Sequence, residues 1–461
     1  MTGLTLQEIH VSVAYTQNQR PKGAARKVAA ASLAGNTIEY YDFSIYGLAA
    51  ALVFPTLFFP NTNPFIGTLA TFGTLAVGYF SRPLGAVIFG HFGDRIGRKS
   101  ILVITLLIMG GVTTMIGLLP TYETIGIWAA IILVVLRLAQ GIAFGGEWGG
   151  AILMAFEFAP PNRRGFYAAI PQLGPAAGSI LGNAAFLLVT LLPHEQMMAW
   201  GWRIPFLFSA VLVAVGLFIR LRLAESPEFN VVKEEGQEVK VPLLEVLRKH
   251  LKSVVLVALS HLGFGAFSIL VIVYLVNFST KEMGIDPTIM LTITLVTFIV
   301  QIPMILLAGH LSDIMSRSKM MVIGSVLVIL AVFHLFWAVG TQNPWFIALS
   351  YIIGFGCCYS MVYGAQAALF ADSFPAEVRF TGMSLGYQVA TSLGSGLTPM
   401  VAAILLQYTG SPYAVSIFVA ALLLIAMISM TRLIAIADLN RRKSSGTAGH
   451  SDAPEQIPAH S

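Results

Sequence analysis

Eleven residues, Gly90 to Ser100, read Gly-His-Phe-Gly-Asp-Arg-Ile-Gly-Arg-Lys-Ser and lie between two long apolar runs. They return in degraded form at Gly309 to Lys319, with Gly, His, Asp and Arg in register 219 positions later. A weaker echo follows: Phe158, Arg163, Gln172 and Gly178 recur as Phe374, Arg379, Gln388 and Gly394, at an offset of 216. Two offsets that agree within three residues mark a duplicated half-chain, so the fold has to accommodate two copies of one unit.

What each unit is follows from how little charge the chain carries. Only 11% of its residues are Asp, Glu, Lys or Arg and 56% are hydrophobic, against roughly a quarter charged in soluble domains. Mean hydropathy is +0.78. A soluble chain of this size would need a charged shell that is absent here, so the expected environment is a lipid bilayer. The net charge of +5 lies mostly in short segments between apolar runs and gives no reason to expect a nucleic-acid partner. Cys357 and Cys358, adjacent in an apolar run, are the only cysteines. They exclude a disulfide framework or a cysteine metal cluster and read as packing residues.

A spanning helix needs about 20 apolar residues. The sequence predicts an all-α membrane protein with twelve spans. The first six are Val28–Phe54, Phe65–Phe89, Ile101–Leu119, Ile125–Phe156, Phe166–Leu192 and Trp202–Leu221. The second six are Val254–Val276, Met290–Leu311, Met320–Val339, Trp345–Phe370, Thr381–Gln407 and Tyr413–Ile436. The run containing Glu39 and Asp42 is too long and too polar for the core of a signal peptide and counts as span 1. Of the 27 Lys and Arg, Arg82 and Arg137 fall within spans, Arg203 at a span entrance and Lys281 on the opposite side. The other 23 share one side, which the positive-inside rule makes cytoplasmic, with both termini there. The expected organisation is a cytoplasmic segment 1–27, a six-helix bundle 28–223, an amphipathic cytoplasmic linker 224–252, a second bundle 253–437 and a disordered tail 438–461. Parallel repeats of this kind enclose a substrate site near mid-membrane between the halves.

The turn matches Gly-x-x-x-Asp-Arg-x-Gly-Arg-Lys through Gly90, Asp94, Arg95, Gly97, Arg98 and Lys99. In this it resembles the major facilitator superfamily, which carries that signature between spans 2 and 3. More narrowly, five stretches look like the metabolite:proton symporters, among them shikimate, alpha-ketoglutarate, citrate and proline/betaine permeases. They are Arg82-Pro83-Leu84-Gly85, the run from Arg137 to Gly150, Gly201 to Phe206, Glu225 to Phe229 and Gly386-Tyr387-Gln388. The resemblance extends from Ala31 to Ile436 and implies the major facilitator fold and alternating access. It also implies proton coupling through Arg137 and a gate role for the turn. The second copy, at Asp313 and Arg317, has Ile314 and Ser316 where the first has Arg95 and Gly97, which implies weaker closure by that half. The tail lacks heptads, which argues against the osmosensing branch.

Charged groups within spans cost about 2.5 to 3.5 kcal/mol each on insertion scales, so the few present are expected to serve function. Glu39, Asp42 and Tyr46 fall at i, i+3 and i+7, one face of span 1. Asp42 is the first candidate for proton carrier and Glu39 the second; the structural alternative for either is a static ion pair with Arg82 or Arg137. Arg137 opens an Arg-x-x-x-Gly-x-x-x-Gly pattern in which Gly141 and Gly145 admit a neighbouring helix or a ligand. Its guanidinium can hold an anion or tune a carboxylate. Glu147, a further proton-coupling candidate ten residues on, is too far for an intrahelical pair with it, so any partner of either lies on another helix. Arg82 is expected either to bind a carboxylate substrate or to brace Asp42, with bracing slightly favoured.

Tyr46, Gln172, Tyr359, Tyr363, Gln366, Tyr387 and Gln388 are expected to complete a substrate site; Tyr359, Tyr363 and Gln366 form one stripe at i, i+4 and i+7. His261 could be a second protonatable group, or simply structural. Gly174-Pro175 and Pro399 are expected to bend spans 5 and 11. Asp94 and Arg98 would bridge cytoplasmic helix ends. Catalytic motifs such as Gly-x-Ser-x-Gly and His-Glu-x-x-His are missing from the sequence, so an enzyme is not expected.

The sequence therefore predicts a monomeric inner-membrane symporter, driven by a proton gradient with no bound cofactor, that imports a small organic acid. The leading guess is a shikimate-like or aromatic monocarboxylate. Di- and tricarboxylates, betaine or proline, a facilitator or antiporter of the same fold, and a membrane receptor are the alternatives.

Overall fold

The computed structural model describes residues 23–60, 73–74, 76–222 and 242–449. Among the described residues, ten helices are long and apolar enough to cross a membrane: spans 3 to 12, from Arg98–Leu118 through to Pro412–Asp438. Two more complete the twelve. Span 1, Ala24–Leu52, is a helix of 29 residues diluted by its polar inner face, and span 2 is helical at 76–80 and over Arg82–Ile96. Large apolar side chains such as Leu188, Phe218, Leu330 and Ile417 stand exposed on the outside of the bundle, as a lipid-facing belt requires.

The repeat is visible in packing. On span 5 (Pro161–Thr190), Gly174, Gly178 and Gly182 fall one helical turn apart, and a Cβ on each would strike Asn36, Thr37 to Tyr41, or Ser44 of span 1. The equivalent of Gly178, Gly394 on span 11 (Ala376–Thr409), meets the backbone of Leu262 and Ala266 on span 7 (Leu251–Lys281) in the same way. Small residues permit this close approach, because in a bilayer packing rather than the hydrophobic effect holds helices together. Gly141 and Gly145 of span 4 (Trp128–Phe158) admit span 2: a Cβ at Gly145 would strike the carbonyl oxygen of Arg82 and the amide of Ala86. Of the two occupants the pattern allowed, it is the helix that fills the space.

Several boundaries differ from expectation. Span 5 is interrupted by a short 3-10 turn at Pro171–Leu173, just before Gly174-Pro175, whereas Pro399 sits within the continuous helix Arg379–Thr409. Spans 7 and 10 contain π-helical stretches at Leu270–Tyr274, which has no Gly or Pro, and at Ile352–Tyr359, which carries Gly354 and Gly356. The last helix runs to Gly449, so the disordered tail expected from 438 does not begin there. Residues 450–461, residues 1–22 and most of the predicted linker, 223–241, lie outside the described residues. The linker's remaining part, Pro242–Lys249, is a helix whose Pro242 and Val246 are buried while Leu247, Arg248 and Lys249 face outward. It packs against the end of span 2 and the start of span 11, across the boundary between the halves.

Candidate functional site

Span 1 presents its acids inward, but into two settings. Asp42 is buried among the first-half helices. It accepts hydrogen bonds from Thr113 Oγ1 of span 3 at 2.9 Å and from Ser209 Oγ of span 6 (Arg203–Leu221). Thr113 in turn accepts from Gln140 Nε2 at 2.9 Å, and Gln140 Oε1 accepts from Arg137 at 2.5 Å. Arg137 thus reaches Asp42 through two neutral side chains. No cation stands within ion-pair distance of Asp42 or Glu39 among the described residues, so the static pair with Arg82 or Arg137 is not formed. Each hydroxyl around Asp42 can donate or accept, so the ring of partners serves the carboxylate and the carboxylic acid alike.

Glu39, 2% exposed, has both oxygens buried without a hydrogen-bond partner among the described residues, and the cations whose charge acts on it are Arg82 and Arg220. Arg220 itself forms a forked ion pair with Glu147, whose Oε2 also accepts from Thr105 Oγ1 at 2.7 Å. The sequence reading placed Arg220 among the cytoplasmic loop charges; instead it is buried inside the bundle, fitted against Gly35 of span 1. It is the partner from another helix that Glu147 needed.

Arg82 does not brace Asp42. Its guanidinium carbon lies over the rings of Phe144 at 3.6 Å, Tyr79 at 4.0 Å and Phe43 at 5.1 Å, an arrangement that draws a cation to aromatic faces. Arg137 lies over Tyr46 at 4.0 Å and Phe43 at 5.0 Å. Among the described residues, Arg82 keeps Nε, and Arg137 keeps Nε and one terminal nitrogen, without hydrogen-bond partners. Phe43 therefore joins two buried guanidinium groups with unspent donors. Tyr40, rather than either acid, is the span 1 residue that meets the second half, where it comes up against Tyr363 and Tyr387.

The neutral residues expected in the site converge at the boundary between halves. Gln172 accepts from Trp148 Nε1 at 3.0 Å and donates to the carbonyl of Tyr363 at 3.3 Å. Its repeat equivalent Gln388 donates to the carbonyl of Gly145 at 3.4 Å, so each half sends one glutamine to the backbone of the other half's fourth helix. Trp148 stacks on Tyr387 with ring centroids 3.4 Å apart and planes at 5°, and His261 covers Tyr387's other side at 4.4 Å. The stripe on span 10 (Pro344–Asp372) divides. Tyr359 and Tyr363 stack at 5.2 Å, while Gln366 turns to His261 Nδ1 at 2.8 Å and to the carbonyl of Ser260.

The two copies of the signature turn perform matching tasks. Asp94 Oδ2 accepts from the backbone N–H of Thr381 at 3.2 Å and its hydroxyl at 2.7 Å, in the first turn of the long helix of span 11. Asp313 accepts from the N–H groups of Gly165 at 2.7 Å and Phe166 at 2.8 Å, at the start of span 5. Each half thus caps a helix of the other, where free N–H groups and the helix dipole favour negative charge. Arg98 and Arg317 bind not these aspartates but acids ending the fourth helix of their own halves: Glu157 at 2.5 Å and Asp372 at 2.9 Å. Glu157 also reaches Arg379 of the second half at 3.5 Å. The expected Asp94–Arg98 bridge is replaced by these contacts.

Gly90 and Gly93 let span 11 approach at Thr381 and Phe380. Gly97 sits at φ 107°, open to glycine, whereas Ser316 takes φ −62°. Arg95 is exposed and lies 3.4 Å from His91, so Ile314 in its place removes no contact between halves.

Sequence reasoning missed Thr113, Gln140, Ser209, Arg220, Phe43 and Trp148. Gln140, at i+3 from Arg137, was within reach of helical spacing; the others are brought in by helices distant in sequence. Two pseudo-symmetric six-helix units, closed against each other around buried cations and aromatics, define a membrane transporter. A sequence model of the Major Facilitator Superfamily matches residues 33–387 and again 258–456, and the chain belongs to this family. It is 41% identical to the inner membrane metabolite transport protein YhjE of Escherichia coli (strain K12), over 92% of this chain and 98% of that one. With the shikimate transporter of the same organism it shares 39% identity over 89% and 94% of the two chains. Its fold superposes on the proton:xylose symporter XylE bound to 6-bromo-6-deoxy-D-glucose with a TM-score of 0.73 at 17% identity, covering 90% and 96%.

Proposed function

We propose that this transporter is a proton-coupled symporter of the inner membrane that imports a small organic acid by alternating access. Shikimate-like or aromatic monocarboxylates are its leading substrates and di- or tricarboxylates come next; betaine or proline fits two buried cations less well. The observation that carries this reading is the pairing of two groups close by. One is Asp42, ringed by hydroxyls that suit both its charged and neutral forms; the other is the pair of guanidinium groups with donors to spare. A proton and a carboxylate anion would occupy these places in the same half of the molecule. The names of the relatives, a metabolite and a shikimate transporter, agree with that substrate class.

In this reading the signature turns and both termini face the cytoplasm and the protein works as a monomer. The capped helix ends hold the cytoplasmic side shut in the present conformation. Asp42 carries the proton, Arg137 senses it through Gln140 and Thr113, and Arg82 and Arg137 receive the substrate's carboxylate. Glu147 serves as the partner of Arg220, and Glu39 as a second acid beside them. Purified protein in liposomes, given an inward proton gradient and labelled acids, is expected to accumulate substrate above equilibrium. Equilibration without accumulation would make it a facilitator, and outward movement an antiporter. Binding without counterflow would favour a receptor.

A further inference from the structure

The Trp148–Tyr387 stack is not explained by proton coupling or by the helix caps. It joins span 4 of one half to span 11 of the other, with both rings buried. Aromatic pairs favour an offset or edge-on approach, because superposed faces bring like quadrupole charge together. Here the centroid separation of 3.4 Å at 5° leaves no room for an offset. The pair is held from outside: Gln172 takes the indole N–H, His261 backs the phenol ring, and Gly149 lets span 11 close in at Ser384. A contact held by its surroundings, with little attraction of its own beyond burial, is one that a better partner can displace.

We infer that Trp148 and Tyr387 are the walls of a slot that reads a flat ring, and that an unsaturated or aromatic ring acid takes its place between them. The inference rests on the organic-acid reading above and narrows it. Trp148 and Phe144 are one helical turn apart on span 4, side by side at i and i+4, and Phe144 carries the Arg82 guanidinium at 3.6 Å. A ring held against Trp148 therefore places a substituent one turn away, where Arg82 has a free Nε–H. Admitting the ring separates the two walls by one ring thickness at the boundary between halves, so a flat substrate also loosens the contact that holds them together.

The test uses full-length protein in liposomes and two acids of equal charge and length, 4-hydroxybenzoate and its saturated counterpart 4-hydroxycyclohexanecarboxylate. Each competes against whichever labelled acid the wild type accumulates. The wild type is expected to favour the flat acid by about tenfold, the scale of one good ring-stacking contact. Trp148→Leu, which keeps bulk and loses the face, should abolish that preference. Trp148→Phe, which keeps a face and loses the bond to Gln172, should retain it. Equal competition by the two acids in the wild type, or a preference that survives Trp148→Leu, overturns the slot while leaving organic-acid transport standing. Failure of the wild type to take up any acid removes the broader reading and the slot together. If Trp148→Leu does not reach the membrane, Tyr387→Leu read against Tyr387→Phe decides the question by the same criterion.

Discussion

Asp42 shows how much can hang on a single carboxyl. It is buried and hydrogen-bonded to two hydroxyls, and connected to Arg137 only through Thr113 and Gln140. Asp42→Asn keeps the shape and removes the proton. Gradient-driven accumulation should disappear while exchange of substrate across the membrane persists; pH-dependent uptake at the wild-type level would contradict the assignment. Gln140→Leu leaves Arg137 with one acceptor fewer, and the loss of a buried hydrogen bond to a charged group is worth about 1.5–3 kcal/mol. Coupled uptake should fall by roughly ten- to a hundredfold, with membrane insertion unchanged. Arg137→Lys should also lose transport while inserting normally, because an ammonium group cannot bond Gln140 and lie flat over Tyr46 at once. The acids and Arg137 stand out in the sequence because charge inside a span is rare. Thr113 and Ser209 do not, since hydroxyls are common in spans and often bond their own helix, as Thr105 does to Ile101.

Between helices, the decisive features are glycines and one ion pair. The Glu147–Arg220 pair fastens span 4 to span 6 with both side chains buried. Removing one partner of such a pair strands the other, at a cost of about 3–5 kcal/mol, whereas replacing both by apolar groups can be neutral. Glu147→Gln should therefore melt at clearly lower temperature in detergent, and Glu147→Leu with Arg220→Met should recover most of the loss. A double variant as unstable as the single one would show that the charges do more than offset each other. Spans 2 and 4 meet through Gly141 and Gly145, where any side chain collides with backbone, so Gly145→Val should prevent assembly rather than tune transport. The Gly-x-x-x-Gly spacing was legible. The fate of Arg220 was not: it lies at the end of an apolar run, like a loop cation, and only the position of Gly35 and Glu147 in space shows it folded inward.

At the scale of the whole molecule, the repeat becomes a reciprocal closure. Asp94 caps span 11, Asp313 caps span 5, and Gln172 and Gln388 cross in opposite directions between them. Each cap is of the order of 1 kcal/mol. Asp94→Ala and Asp313→Ala, which remove the acceptors, should shift the population toward opening on the turn side by similar factors, about fivefold each. Alkylation of a cysteine placed beside Thr381 or Phe166 would measure it. A much smaller effect at Asp313 would restore the unequal closure that its degraded turn implied. Arg95 and Gly97 shape the turn locally, while the aspartate of each copy bonds a helix start in the other half.

The sequence by itself determined the environment, the number of spans and the duplication. Each of these depends on local composition or on spacing along one helix, and a bilayer penalises exceptions heavily. Only the tertiary structure decided which residues meet: Asp42 with Ser209, Glu147 with Arg220, Asp94 with Thr381, Trp148 with Tyr387. The physical reason is that helices in lipid touch through small residues and single polar contacts. Periodicity shows which face of a helix is inward, but the rotation and depth at which two such faces meet are set by packing across the whole bundle.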